Sequence, residues 1–408
     1  MAQKYKKITI PITKPYLDGK EEKLVARVLR SGWLTQGPKV IEFEKKVNEY
    51  TRTKYAVAVT SCTTALFLAL KASEIKEGDD VIVPSFSFIA TANSVAHTGA
   101  TPVFADIDRR TYNISPLSIQ EVIKSGYKFD NTKKALVNNT TNNRLRAIMP
   151  VHQVGLPADM AAIAVIARKY KLLVVEDAAC AIGSEYKGKR VGAHSPLVCF
   201  SFHPRKIITT AEGGVITTDS KEYAEKITAL RQHYMTVSDL ARHKTGSIIF
   251  ESYPEIGYNF RMSDVQAAIG IAQMDKLDMV LMKRAAIANA YNKAFVGHPY
   301  LDVPYVPAGY KHNYQSYLLK VKNESPVRRE EIMTRLAGAG IATRRGIMAI
   351  HQEPAYASAK TIINLSVTEE CALSTMTIPL YPQMNKAEVN SVISEIKKCF
   401  NRKKHSDG

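Results

Sequence analysis

The chain has 408 residues, 45% of them hydrophobic and 23% charged, a composition that excludes extensive disorder and suits two packed domains. No run approaches the roughly 20 apolar residues of a membrane span, and the basic start lacks the apolar core of a signal peptide. The formal net charge of +18 favours anionic partners, but no nucleic-acid motif accompanies it, so we expect neither nucleic acid nor a membrane as partner. The five cysteines are Cys62, Cys180, Cys199, Cys371 and Cys399. Their odd number and the absence of CxxC spacing argue against a disulfide framework and a zinc site, and they predict a cytoplasmic protein.

The first two thirds of the chain alternate predicted helices and strands. An extended arm with two prolines precedes amphipathic helices over 21–29 and 40–50. Short apolar runs then predict strands at 55–60, 80–83, 101–105, 147–151, 172–176 and 198–201, and helical periodicity predicts helices at 63–72, 90–97 and 160–170. Strands that are apolar on both faces are typical of parallel sheets covered by helices. We therefore predict an α/β fold with a mostly parallel central sheet.

The last third of the chain has a different pattern. One long helix is predicted over 263–277, followed by a strand at 317–321 and helices at 328–339 and 387–399. We assign residues 1–270 to an N-terminal arm plus a large domain, and residues 271–408 to a small C-terminal α+β domain. The basic cluster over 397–404 is interpreted as a solvated chain end.

Polar residues follow two predicted strands at the edge where open α/β sheets bind ligands. The segment TSCTT over 60–64 joins a strand to a helix N-terminus, where free N–H groups bind phosphate, although Ser61 or Thr63 could simply cap the helix. Asp177 ends the apolar strand KLLVVED. A buried carboxylate there needs a partner, either a protonated ring nitrogen or nearby backbone N–H groups.

Lys206 lies in the turn SFHPRK after another buried strand. Burial and the neighbouring Arg205 would both favour its neutral amine, the form that attacks carbonyl carbon. His203 in the same turn is interpreted as a turn or packing residue. Asn259, in GYNFRMS, could cap the next helix or contact an anion. Together the four segments describe one cofactor, with a phosphate, a ring nitrogen and a carbonyl.

With these residues in place, the chain resembles the DegT/DnrJ/EryC1/StrS sugar aminotransferases, which bind pyridoxal 5′-phosphate (PLP). The resemblance covers residues 10–395 and rests on five motifs in order: GWLTQGP, PSFSFIATANSVAHTGATPVFADID, VVEDAACAIGSEYKG, SFHPRKIITTAEGG and GYNFRMSDVQAAIG. It implies PLP fold type I, like aspartate aminotransferase, with a large domain and a smaller C-terminal domain. It also implies a homodimer with a shared active site.

The motifs carry the family's site residues onto this sequence. Lys206 matches the lysine that holds PLP as a Schiff base and is the expected catalytic residue. Asp177 matches the partner of the pyridine nitrogen, and Asn259 matches a residue that reaches the phosphate from the other subunit. Phe88 matches the aromatic residue that stacks on the cofactor ring, and Cys180, the residue after EDAA, is a further expected cofactor contact. The expected phosphate contacts are Cys62, Thr63 and Ser201.

The sequence departs from the family pattern at three positions. Cys62 stands where the phosphate loop usually has Gly, and a backbone contact survives that change. Cys180 stands where Gln or His usually helps to position the cofactor. Ala211 stands where Gly is usual in a tight turn. Some family members are dehydratases with His in place of the lysine, so Lys206 indicates an aminotransferase.

The resemblance implies that an amino group passes from an amino acid, L-glutamate by analogy, to a nucleotide-linked keto-deoxy-sugar by a ping-pong mechanism. The opening SGWLTQGPKV favours reaction at C4 of the sugar. Motif position suggests four substrate contacts: Trp33, Arg344, Arg345 and His351. Three alternatives stay open: a C3 keto-sugar or keto-cyclitol acceptor, a non-catalytic PLP-binding regulator, and nucleic-acid binding through the positive charge.

Overall fold

The computed structural model describes residues 9–236, 250–358 and 361–401. Its α-helices are α1 (Lys20–Ser31), α2 (Pro38–Thr51), α3 (Cys62–Ala72), α4 (Ala90–Ala96), α5 (Pro116–Gly126), α6 (Met160–Tyr170), α7 (Lys221–Leu230), α8 (Asp264–Met274), α9 (Leu277–Phe295), α10 (Arg329–Gly338), α11 (Ser366–Ser374) and α12 (Lys386–Lys398). Its strands are β1 (Tyr55–Val59), β2 (Asp79–Pro84), β3 (Thr101–Ala105), β4 (Tyr127–Asp130), β5 (Ala135–Asn138), β6 (Arg144–Ile148), β7 (Leu173–Asp177), β8 (Glu185–Tyr186), β9 (Lys189–Arg190), β10 (Leu197–Ser201), β11 (Gly214–Thr218), β12 (Leu301–Asp302), β13 (Tyr310–Lys311), β14 (Tyr317–Val321), β15 (Arg344–Arg345) and β16 (Thr375–Ile378).

The central sheet has the order β1-β11-β10-β7-β6-β2-β3, with the β4–β5 hairpin beside β6. Neighbours from β10 to β3 run parallel, whereas β11 pairs antiparallel with both β10 and β1. Every residue of β10 and β11 is buried, which explains their largely apolar sequences because helices cover both faces of the sheet. The prediction of an α/β fold with a mostly parallel sheet is confirmed.

A second, antiparallel sheet has the order β12-β14-β16-β15. Its apolar core takes side chains from α9, α10 and α12, together with Ile10 of the N-terminal arm. Helix α9 connects the two cores, since Leu277 and Leu281 pack beside the central sheet and Tyr291 and Phe295 pack beside the second sheet.

Two predicted elements need correction. The helix predicted over 263–277 is present as α8, but it ends at Met274, and a separate helix, α9, begins at Leu277. At the junction, Lys276 is buried and its Nζ lies 2.6 Å from carboxylate oxygens of both Asp18 and Glu21, which anchors the break to the start of α1. The strand predicted at 147–151 lies earlier, at Arg144–Ile148, because Pro150 has no N–H for a sheet ladder.

Two further expectations concern chain ends and membranes. None of the helices in the described ranges is long and apolar enough to cross a membrane. The basic start and most of the basic tail, including Arg402, Lys403 and Lys404, lie outside the described residues. All five cysteines are free, and Cys180 is the only one that is not fully buried.

Candidate active site

The strand register brings four chain segments to one edge of the central sheet. Val59 pairs with Gly214, which pairs in turn with Ser201, so the ends of β1 and β10 lie on either side of the start of β11. On the other side of β10, Cys199 pairs with Asp177 at the end of β7. A side chain at position 214 would not fit, because its Cβ would lie 2.4 Å from the backbone carbonyl of Ser61.

A cavity of about 410 Å³, which we call the main cavity, opens at this edge. The structure brings together seven of the eight expected cofactor-binding positions in its walls: Cys62, Thr63, Phe88, Asp177, Cys180, Ser201 and Lys206. The Phe88 side chain is unusually exposed for an aromatic residue, at 66%, so its ring is free to stack on a bound molecule.

The N-terminus of α3 faces the main cavity. Ser61 is the N-cap and forms a capping box with Thr64, so the capping function expected of this segment is real. The next two N–H groups, of Cys62 and Thr63, have no protein acceptor within the described ranges. Burial raises the pKa of the Cys62 thiol well above its ordinary value, so Cys62 offers a neutral side chain beside free backbone donors. These donors and the helix dipole suit an anion such as phosphate.

Asp177 is held in a fixed orientation at the wall of the cavity. Its Oδ2 accepts a hydrogen bond of 2.8 Å from Thr91 Oγ1, which also contacts Ser87 Oγ at 2.8 Å. Its Oδ1 accepts a hydrogen bond of 3.1 Å from the backbone N–H of Ala179. The carboxylate therefore has backbone support and still borders the cavity, where it can meet a cationic ring nitrogen.

The Lys206 amine lies in the same cavity, with Nζ 3.2 Å from Cys180 Sγ. Burial lowers the pKa of Lys206, but the contact with Cys180 and the charge of Asp177 oppose burial, and the net pKa lies above its ordinary value. The direction of this pKa is opposite to the one that we expected from burial and from Arg205. The sequence places Arg205 next to Lys206, but the groups that face the amine come from other segments.

The other residues of this turn have mainly structural contacts. His203 Nδ1 accepts a hydrogen bond of 3.2 Å from the Arg205 backbone N–H. The pKa of His203 lies below its ordinary value, mainly because the side chain is partly buried. Ala211 adopts a φ of 69°, a left-handed conformation that glycine adopts without strain.

The four suggested substrate residues do not come together. Arg345 lines the main cavity and a smaller cavity beside it, and Arg344 lines only the smaller one. His351 is outside both cavities: its Nδ1 lies 2.6 Å from Ser85 Oγ, and its Nε2 lies 3.1 Å from Glu369 Oε1. Trp33 is also outside both cavities and donates from Nε1 to the carbonyl oxygen of Gln36 at 3.3 Å.

Asn259 is the one expected cofactor contact that lies away from the main cavity. It is exposed, and it does not cap α8, because Ser263 does so through a capping box with Gln266. The capping alternative is wrong, and contact with a partner subunit stays a prediction.

Several residues of the site were missed in the sequence. Thr91 orients Asp177 and could have been noticed three residues after Phe88, in the first turn of the predicted helix. Gln153 and Gln315 line the cavity from loops that carry no periodic signal. Gln153 donates to the carbonyl oxygen of Phe86, and Gln315 donates to that of Arg205 at 2.7 Å.

The fold and the comparisons with known proteins define a fold type I aminotransferase, as expected. The model of the DegT/DnrJ/EryC1/StrS aminotransferase family matches residues 15–397. The chain belongs to that family. Its aminotransferases depend on PLP.

Individual relatives agree with this assignment. The chain is 36% identical over 394 residues to the spore coat polysaccharide biosynthesis protein SpsC of Bacillus subtilis, which covers 95% of this chain and 96% of SpsC. The structure of Helicobacter pylori PseC, an aminotransferase involved in the biosynthesis of pseudoaminic acid, matches with a TM-score of 0.85 and 28% identity over 97% of this chain and 99% of PseC. Streptococcus pneumoniae Spr1654, a proposed sugar aminotransferase in its PMP form, matches with a TM-score of 0.86 and 28% identity over 96% and 99% of the two chains. The prediction of a sugar aminotransferase is confirmed at the level of enzyme class.

Proposed function

We propose that the chain transfers an amino group from an amino acid, L-glutamate by analogy, to C4 of a nucleotide-linked keto-deoxy-sugar by a ping-pong mechanism with PLP as cofactor. The observation that carries the proposal is the convergence of Lys206, Asp177 and the α3 N-terminus on one cavity. We also infer that the enzyme acts as a cytoplasmic homodimer in which Asn259 serves the partner's site.

The residues of the main cavity fit PLP in kind and in position. The unbonded N–H groups at the start of α3 suit its phosphate, and Ser201 lies beside them. The Asp177 carboxylate, fixed by Thr91, suits a protonated pyridine nitrogen. Phe88 supplies an exposed aromatic ring, and Lys206 supplies the amine that would carry the cofactor covalently.

When bound, PLP supplies an electron sink that stabilises negative charge on the carbon bearing the amino group. Asp177 keeps the ring nitrogen protonated and so strengthens that sink. Lys206 would hold the cofactor through Nζ and, once its amine is free, would take the proton from the donor's Cα as a general base and pass it on to the cofactor. In the second half-reaction Lys206 returns a proton to the carbon that was the ketone of the acceptor.

The proposal is tested first by the visible absorption of the purified protein before and after addition of L-glutamate, beside Lys206→Ala. We expect a yellow protein that bleaches with glutamate, and we expect the absorption of covalently bound cofactor to be missing from the variant. A protein that stays colourless when PLP is supplied would contradict the assignment. Failure of every amino donor to change the spectrum would favour a regulatory protein instead.

The acceptor is tested separately in the aminated enzyme. Keto-sugars with the ketone at C4, keto-sugars with the ketone at C3 and keto-cyclitols are compared by the rate at which the yellow absorption returns. The proposal expects the C4 keto-sugar linked to a nucleotide to react fastest. Faster reaction of either other class would replace the substrate assignment and leave the cofactor assignment intact.

A further inference from the structure

A second cavity of about 170 Å³ opens beside the main cavity. We call it the arginine cavity, after Arg205, Arg344 and Arg345 in its walls. The residues that line both cavities are Arg205, Gln315, Ser316, Arg345, Gly346 and Thr377. A molecule with its reacting carbon at Lys206 could therefore extend directly into the arginine cavity.

The arginine cavity has a positively charged lining. Its lining, taken over the described residues, contains no Asp or Glu. Arg345 has an ion pair with Glu353 at 3.1 Å, whereas the guanidinium groups of Arg205 and Arg344 have no hydrogen-bonding or ionic partner in the described part of the chain. Burial and then the charge of Arg205 lower the pKa of Arg344, as expected for two cations that face each other.

The segments that carry these charges are fixed in place. Arg344 lies on β15 and pairs with Thr377 of β16. The carbonyl oxygen of Arg205 accepts the 2.7 Å hydrogen bond from Gln315 Nε2, and Gln315 Oε1 accepts one of 3.0 Å from Ser316 Oγ. The backbone of both arginines is thus held before any ligand arrives, which reduces the ordering cost of binding.

We propose that the arginine cavity binds an anionic group of the substrates through Arg205 and Arg344 while the reacting carbon lies at Lys206. Guanidinium groups match carboxylate and phosphate oxygens with paired, charge-assisted hydrogen bonds. Two sources can supply that group: the distal carboxylate of a dicarboxylic amino donor, or the diphosphate of a nucleotide-linked acceptor. This inference rests on the function proposed above for the main cavity.

The test measures anion binding to the PLP-loaded protein by calorimetry, without turnover. The probes are glutarate, a dicarboxylate with no amino group, and inorganic pyrophosphate. The variants are Arg205→Gln, Arg344→Gln and the double variant. Arg328→Gln is the matched control, because Arg328 is exposed at the start of α10 and its loss changes the net charge equally. We expect each single variant to bind about tenfold more weakly or worse, because each loses a charge-assisted contact, and the control to bind like the wild type.

The two probes distinguish the sources. Binding of glutarate that depends on Arg205 and Arg344 assigns the cavity to the amino donor, and arginine-dependent binding of pyrophosphate assigns it to the acceptor. Wild-type protein that binds neither probe, or a double variant that binds as tightly as the control, would overturn the inference. Melting curves without anion check the fold. Removal of the repulsion between Arg205 and Arg344 should leave the double variant at least as stable as the control. If the double variant melts at a lower temperature, the inference is judged from anion binding by the two single variants.

Absorption recorded on the same samples separates this inference from the proposed function. A protein that bleaches with glutamate, but whose anion binding ignores Arg205 and Arg344, contradicts only the arginine cavity. If the protein takes up no PLP, the same titrations are made on the protein as purified, and anion binding that depends on these arginines then contradicts only the proposed function.

Discussion

Ala211 shows what a single departure from the family pattern costs. Its φ of 69° is a left-handed conformation, which burdens an L-residue by about 1–2 kcal/mol relative to glycine. We expect Ala211→Gly to stabilise the protein by about 0.5–1 kcal/mol, since the relieved strain exceeds the extra entropy of glycine in the unfolded chain. Urea denaturation measures the difference. Ala286→Gly, at an exposed position within α9, is the control and should lose about 1 kcal/mol. A loss of stability in both variants would show that the left-handed conformation of Ala211 does not destabilise the wild-type protein.

The raised pKa of Lys206 predicts how the cofactor-free enzyme takes up PLP. Only the neutral amine attacks the aldehyde, and a pKa above the ordinary value leaves less of it near neutral pH. Uptake should therefore accelerate steadily from pH 7 to pH 9. Cys180→Ala removes the nearest group that raises the pKa and should make uptake several-fold faster at each pH, with Cys180→Ser in between. The rate of appearance of yellow absorption measures this. A rate independent of pH and of residue 180 would contradict the prediction.

Residue-level sequence reasoning succeeded where chemistry was tied to a motif, and it failed where side chains from distant segments meet. The positions of Lys206 and Asp177 at strand ends followed from the β–α alternation. The direction of the Lys206 pKa did not, because Cys180 is 26 residues away in the chain and its contact with Nζ exists only in the folded protein. The Thr91 support of Asp177, 86 residues away, was hidden for the same reason.

Helix α9 holds the cavity wall through one buried arginine. Arg284 is 1% exposed, and it donates from Nε to the carbonyl oxygen of Tyr314 at 2.9 Å and from Nη2 to that of Gln315. Burial lowers the pKa of Arg284 to about 9, so it is still a cation at neutral pH. Gln315 in turn holds the backbone of Arg205. The helix thus reaches the Lys206 turn through two hydrogen-bonded steps.

This arrangement predicts a large effect of Arg284→Met. The variant leaves two buried carbonyl oxygens without their donors and should lose about 2–4 kcal/mol of unfolding free energy. Arg284→Lys keeps the charge and one donor and should lose less. Chemical denaturation of both variants gives the comparison. Equal stability of the methionine variant and the wild type would mean that Arg284 does not support this wall.

At the scale of elements, helix α9 was missed because an arginine, Arg284, lies on its buried face. Sequence patterns indicate that an arginine lies at the surface, so Arg284 interrupts the apolar helical period. The buried residues that follow this period are Leu277, Val280, Leu281, Arg284, Ile287, Ala288, Tyr291 and Phe295. The two-residue strands β8, β9 and β13 were missed because two residues carry no periodicity. The five-residue strands β3 and β14 were placed correctly because their apolar runs are bounded by turns.

At the scale of the whole molecule, the position of Asn259 predicts sites shared between subunits. Asn259 is exposed and lies outside the cavity of its own chain. We expect Lys206→Ala and Asn259→Ala to be inactive or weak alone and to recover about one quarter of wild-type activity after equal mixing and subunit exchange, because half of the dimers then carry one intact site. Gel filtration checks that both variants assemble alike. Activity that never exceeds the average of the two variants would place each site within one subunit.

The N-terminal arm joins the beginning of the chain to its last third. Thr9 and Ile10 donate backbone hydrogen bonds to the carbonyl oxygen of Gly340, and Ile10 packs in the core of the second sheet. On a ribosome that adds about 5–20 residues per second, this partner emerges on the order of 20–60 s after the arm. The arm must therefore wait, unpaired, until residue 340 has been synthesised. The second core is completed only after α12 has been synthesised, so a truncated chain that stops before residue 340 would leave the arm without its docking site.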